Sequence, residues 1–356
     1  MNAKLRDLIL ANFLAIFCGL LISSLMLLFL RISPSHVLAE ALGKIITDKY
    51  TMGDVFLKAT PLIFTALSFA FTFKANLFNI GSQGQFYMGA IIAIAVSLKL
   101  QGVMPIPVLL TVVCILTFIG GGMVGALIGY LKAKFNANEF LVSMMSSYVV
   151  LALMNYLLRT FLKETKGEYP QTDPLTRQAW IPTLVEGTRL HVGFILAVLV
   201  AIGVWILLYK TPLGFRIRVV GSNASAAEMS GIQSRKICII TFFISGALAG
   251  AAGFTEVNGV QHMLIQDFNS GIGSAGIGIA ILANANPIGI IFASILFAAL
   301  NVIGTLIGRM PGVNVPSSFI DLMQGSVMVF VIASYFVRSS LEKNREKRKL
   351  QKAVRE

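Results

Sequence analysis

Long apolar runs with few charges, separated by short polar interludes, make up most of this chain. A helix needs about 20 apolar residues to cross the hydrocarbon core of a bilayer. Runs of that kind occupy residues 8–30, 55–73, 77–98, 103–131, 140–158, 192–209, 237–257 and 318–337. Residues 268–308 are uncharged throughout and too long for one crossing. Asn284, Asn286 and Pro287 divide them into a short Gly-rich piece and a full span at 288–307. The pattern predicts an all-α polytopic membrane protein with about ten crossings or part-crossings. The first run follows Lys4 and Arg6 and ends without a small-x-small site, which sets it apart from a cleaved signal peptide.

Composition agrees. Of 356 residues, 56% are hydrophobic and 13% charged, with a mean hydropathy of +0.79. Soluble chains carry roughly 25% charged residues, so a cytosolic enzyme, a secreted disulfide scaffold and a disordered protein are all excluded. Cys18, Cys114 and Cys238 stand singly in apolar runs and read as small buried hydrophobes.

The net charge of +13 points to the membrane rather than to nucleic acid, because Lys and Arg collect in cytoplasmic loops. Residues 210–236 hold five basic residues and one acidic, and the tail at 338–356 holds eight against three. Residues 159–189 are nearly balanced, at five against four. These parities predict one transmembrane domain over residues 1–356, with both termini and the basic tail in the cytoplasm.

Two segments depart from a lipid-facing pattern. Residues 76–85 read Asn-Leu-Phe-Asn-Ile-Gly-Ser-Gln-Gly-Gln, and residues 267–276 read Asp-Phe-Asn-Ser-Gly-Ile-Gly-Ser-Ala-Gly. Glycine and small polar residues at membrane depth require protein or a water-filled cavity to satisfy the backbone. Paired breaks of this kind mark substrate pathways in transporters, and an odd number of crossings between them makes an inverted repeat possible. Chance recurrence of Phe-Asn with glycine is the alternative. Phe78, Asn79, Ser82, Gln83, Gln85, Phe86 and Asn269 are the candidate pathway residues. Interhelical hydrogen bonding and plain aromatic packing are their structural alternatives. Gly121/Gly125/Gly129, Gly246/Gly250 and Gly304/Gly308 have the GxxxG spacing that lets membrane helices approach closely.

Catalytic constellations are missing. The chain has no HExxH, GxSxG, CxxC or GxxxxGK[ST], so it holds no cofactor of its own and any ATP must be bound by a partner chain. His36, His191 and His262 lie far apart in sequence near span ends and read as interfacial residues. The GxGxxG at 271–276 lacks both a preceding strand and a following acidic residue, which rejects a dinucleotide site. Glu139, Glu256 and Asp321 also sit at span ends, leaving no parts for a proton relay.

The basic loop at 211–232 contains a short Ala-rich stretch. Asn223 or Ser222 can cap a helix through Ala226, Ala227 and Glu228, and Gly231 can end it. Insertion into a groove on a partner and a plain connecting loop are both open from these residues alone.

The chain resembles the permease subunits of bacterial ABC importers, in the group of branched-chain amino acid, simple-sugar and nucleoside permeases, and is most like the nucleoside type. The residues that carry the likeness are Asn79-Ile-Gly-Ser-Gln-Gly-Gln85, Asn138-Glu139, Thr211-Pro-Leu-Gly214, the Asn-x-x-Ala-Ala-x-x-x-Gly of residues 223–231, Ser245-Gly-Ala-Leu-Ala-Gly250 and Asn286-Pro-Ile-Gly289. Gln83 departs from the Glu common in the family. The resemblance implies that residues 222–231 form the coupling helix that docks on an ATP-binding cassette subunit. It also implies a second permease chain or a second copy of this one, an extracytoplasmic solute-binding protein, and a small polar solute. Sugar, branched-chain amino acid and flavin permeases, and a stand-alone secondary transporter, are the competing readings.

Overall fold

The computed structural model describes residues 18–19, 21–22, 24–25, 27–28, 32–165, 167, 169–266, 268, 271–310, 322–323 and 325–334. Asn269, Asp321, most of the first apolar run and the basic tail lie outside these residues. In chain order the helices are α1 (Pro34–Thr47), α2 (Lys49–Phe73), α3 (Ser82–Leu100), α4 (Ile106–Phe135), α5 (Glu139–Arg159), α6 (Gly193–Lys210), α7 (Pro212–Ser222), α8 (Ala224–Met229), α9 (Ser234–Glu256), α10 (Ile272–Leu282), α11 (Pro287–Ile307) and α12 (Gly325–Ser334). Strand-type pairing among the described residues is limited to two isolated bridges, Gln171 with Ile265 and Thr183 with His191.

Seven helices among the described residues (α2–α6, α9 and α11) are long and apolar enough to cross a membrane. The shorter α10 and α12 are apolar too. The chain is therefore a helical, multi-pass membrane protein whose described residues hold seven full-length spans; of the roughly ten predicted crossings, the runs at 8–30 and 318–337 lie largely outside the described residues. One predicted run, 77–98, enters the helix only at Ser82. Two elements, α1 and α7, were not legible as helices. Thr211 starts α7 by accepting the Gly214 N–H at 3.2 Å, with Pro212 in the first turn where it loses no hydrogen bond.

The chain divides into two compact units, 1–48 with 299–356, and 49–298. In the first, Ser326 Oγ donates to the Gly19 carbonyl at 3.2 Å, and Val327 lies where a Gly19 side chain would be. In the second, α2 and α9 are the most buried spans. Glycine brings the neighbours of α9 within backbone contact. A methyl at Gly121 or Gly125 of α4 would strike the carbonyls of Gly246 or Phe242, and one at Gly89 of α3 would strike that of Gly250. The GxxxG rows at 121–129 and 246–250 thus face each other, so close packing substitutes for the missing hydrophobic drive between helices in lipid.

The ends of this unit differ. At one end, Ala75–Leu77, Lys132, residues 220–224 and Arg235 border a common cavity of about 490 Å³, so the basic loops gather there. At the other end, Asn258 bonds Ser97 Oγ and the Ala179 carbonyl, both at 2.8 Å, and Gln101 accepts the Thr176 N–H at 3.0 Å. These are the basic end and the loop end below.

Candidate functional site

After α2 the chain reverses at Asn76, whose φ of 55° is left-handed, and returns toward the membrane without helix at residues 77–79. Its depth is set by Ser68, one and a half turns from the end of α2, or about 8 Å in. Ser68 Oγ lies 3.0 Å from Ser245 Oγ of α9 and 3.4 Å from Ser82 Oγ. Asn79 is fully buried and fully used. Its amide donates to Gln85 Oε1 and to Ser245 Oγ, both at 2.8 Å, while its oxygen accepts the Gly81 N–H at 3.0 Å. Accepting a backbone N–H fixes which end of the amide is oxygen.

Two serines of α5 complete the set. The Ile80 N–H donates to Ser143 Oγ at 3.2 Å and the Gly84 N–H to Ser147 Oγ at 3.1 Å. Orphan N–H groups at a helix start need such partners when no water is present. Ser143 and Ser147 were missed in the sequence, although serines at i and i+4 on an apolar helix are the available signal.

The second Gly-rich segment meets the first. The Gly273 N–H donates to Gln83 Oε1 at 2.6 Å, and Gly273 lies against the Gln83 backbone so closely that a Cβ there would sit 2.5 Å from its nitrogen. Thr65 Oγ1 donates to the Ile272 carbonyl at 3.3 Å, and Lys74 Nζ donates to the Asn284 carbonyl at 3.3 Å. Therefore α10 runs alongside α2 from mid-helix to the basic end as a half-span of about 16 Å. Helix α3 runs the opposite way, from the same meeting point to the loop end. Two positive helix N-termini converge at membrane depth, an arrangement suited to a polar or partly negative solute group.

Of the candidate pathway residues, Asn79, Ser82, Gln85 and Phe86 are fully buried within the chain. Gln83 is half-buried on the seam, and Phe78 is 39% exposed. The Phe86 and Tyr87 rings pack on Phe268, with centroids 5.4 and 6.0 Å apart, while Phe78 rests on Phe69 and Phe73. Ser274, beside Gly273, is exposed although it lies at membrane depth. In sequence, a lone Ser in a Gly-rich run carries no distinguishing mark.

At the basic end, Asn223 caps α8 by accepting the Ala226 N–H at 3.0 Å, and Gly231 leaves it with φ 80°. Ser222 instead closes α7, donating to the Arg218 carbonyl at 3.0 Å. Ala227 is fully buried, Ala226 is half-buried, and Glu228 and Met229 face out, Met229 at 84% exposure. Asn138 caps α5 by accepting the Phe140 N–H at 3.0 Å, and Glu139 pairs with Lys132 at 2.9 Å. Burial and the neighbouring Arg218 guanidinium hold the Lys74 amine below the usual lysine range.

At the loop end, His191 and His262 come together despite their distance in sequence, because residues 171–192 fold back onto the π turn at Val257–Gln261. His191 is buried, accepts the Gly193 N–H on Nδ1 at 3.1 Å, and is pushed down to about 4, first by burial and then by His262. Trp180 stacks on His262 at 3.8 Å.

Residues 51–332 match the family described as branched-chain amino acid transport system / permease component. The chain belongs to this permease family. A guanosine ABC transporter permease of Bacillus subtilis is 31% identical over 95% of this chain and 97% of its own length. A nucleoside ABC transporter permease of Lactococcus lactis is 28% identical over 96% and 95%, and a glucose ABC transporter permease of Haloferax volcanii is 28% identical over 91% and 87%. The protein is accordingly the membrane-spanning permease subunit of an ABC transport system.

Proposed function

We propose that this permease imports a nucleoside, driven by a separate ATP-binding subunit that docks on α8 at the basic end. The observation that carries the reading is the capped α8 itself, with Met229 turned outward and residues 220–224 bordering one cavity with the turn at Ala75–Leu77 that leads into the re-entrant segment. Positive charge at 210–236 supports a cytoplasmic basic end and cytoplasmic termini. The loop end then receives solute from an extracytoplasmic binding protein, and a second permease chain completes the path. ATP is bound and hydrolysed on the partner, and this chain contributes no catalytic group. The guanosine and nucleoside permeases among the relatives support the solute class.

The full-length α3 and the half-span α10 leave a shared point in opposite directions, α3 after α2 and α10 after α9, which supports an inverted repeat. On this reading the solute passes the Gln83–Gly273 seam and meets Gln83, Ser274 and Phe78. Asn79, Ser82, Gln85 and Phe86 brace the seam from behind, and Asn269 leads into it in sequence. The glucose relative favours a sugar as the second reading, since both solutes present hydroxyls. Proteoliposomes holding the assembled transporter decide between them. Guanosine uptake that needs ATP and resists excess glucose is expected, and glucose uptake without guanosine uptake refutes the nucleoside assignment.

A further inference from the structure

We propose that Lys74 is the positioning residue through which movement of the α7–α8 elbow reaches the half-helix α10. This rests on the coupling reading above. The main chain of Lys74 belongs to the elbow contact. Gly221, at the end of α7, is pressed onto the Lys74 carbonyl and the Ala75 backbone, and a methyl there would sit 2.8 and 2.9 Å from Ala75 C and Cα. Its side chain belongs to α10, donating to the Asn284 carbonyl at 3.3 Å, where a cation suits the negative helix end.

The joint at that end of α10 is bent. Asn284 and Ala285 adopt φ of 52° and 50°, and the Ala285 N–H returns to the Ala280 carbonyl at 2.7 Å. Left-handed backbone on a buried alanine is held by its surroundings and gathers at elements that switch. The opposite end of α10 carries the Gln83–Gly273 bond. A rigid half-helix thus has one end on Lys74 and the other on the seam. Displacing the elbow carries the Lys74 turn with it, and the lysine transmits that shift to α10.

The test compares Lys74→Met and Lys74→Arg in the complete transporter in proteoliposomes, with guanosine as the probe. Lys74 is half-buried and is not a member of the Asn79 hydrogen-bond network, so both variants are expected to fold. With Met the ATP-binding subunit stays bound and ATP hydrolysis stays within about twofold, while guanosine moved per ATP falls about tenfold, the scale of coupling between sites. Arg, which keeps the charge and reach, restores most of that ratio. An unchanged ratio in Lys74→Met overturns the proposal. So does loss of the ATP-binding subunit from the variant, which would make Lys74 a docking residue. Failure of the wild-type complex to take up guanosine is read separately, as failure of the transport reading, and removes the Lys74 link with it.

Discussion

Gln83 Oε1 accepts the Gly273 N–H at 2.6 Å, joining two segments that stand 190 positions apart. Replacing Gln83 with Leu leaves that N–H without its partner inside the bilayer, a loss of about 1–3 kcal/mol. Gln83→Glu keeps an acceptor against a positive helix N-terminus and is expected to hold stability near wild type. Gly273→Ala drives a methyl into the Gln83 backbone and is expected to be the most damaging of the three. Thermal unfolding of the purified protein in detergent ranks them.

The Asn79 network makes a second prediction. Asn79→Ala strands the Gln85 amide and the Gly81 N–H and removes one of the partners of Ser245, on the order of 3 kcal/mol, whereas Phe78→Ala on the exposed side of the same segment costs about 1 kcal/mol or less. Asn79→Asp keeps the acceptor but loses both donors, and should fall between them. The same unfolding measurement checks this order.

The α8 elbow separates docking from folding. Asn223→Ala removes the cap and weakens α8 by about 0.5–2 kcal/mol. Met229→Glu leaves the fold intact but should abolish co-purification of the ATP-binding subunit, because Met229 faces outward. Ala227→Glu should instead reduce the yield of the permease itself, since Ala227 is buried within the chain.

The apolar pattern made most spans legible, along with the break at 284–287 and the α8 cap, because each depends on local chemistry. Helix α1 was missed because a part-exposed helix of mixed polarity, with Lys44, Glu40 and His36 among its residues, has no apolar run to announce it. The meeting of Gln83 with Gly273, and of Ser143 and Ser147 with the Ile80 and Gly84 N–H groups, depends on tertiary placement. Likewise, Asn79, Ser82, Gln85 and Phe86 have the residue types of a solute path, and only three-dimensional packing turns them toward one another. His191 looked interfacial for the same reason: its burial comes from a loop folding back over it.

His191 makes the loop end sensitive to acid. Its folded value of about 4 lies below the ordinary histidine value of 6.5, so the unfolded loop binds more protons between those limits. Stability is therefore full above about pH 6.5 and is lost as pH falls toward 4, on the order of 3 kcal/mol in all. Hydrogen exchange across residues 171–192 should speed up over that range, and His191→Gln should flatten the dependence.

Sided thiol labelling of Met229→Cys, with Cys18, Cys114 and Cys238 replaced, tests the position of the elbow most directly. A membrane-impermeant maleimide should leave intact cells unlabelled, react in inside-out vesicles, and be blocked there when the ATP-binding subunit is present. Labelling of intact cells would place α8 outside and contradict the coupling of this permease to a cytoplasmic motor.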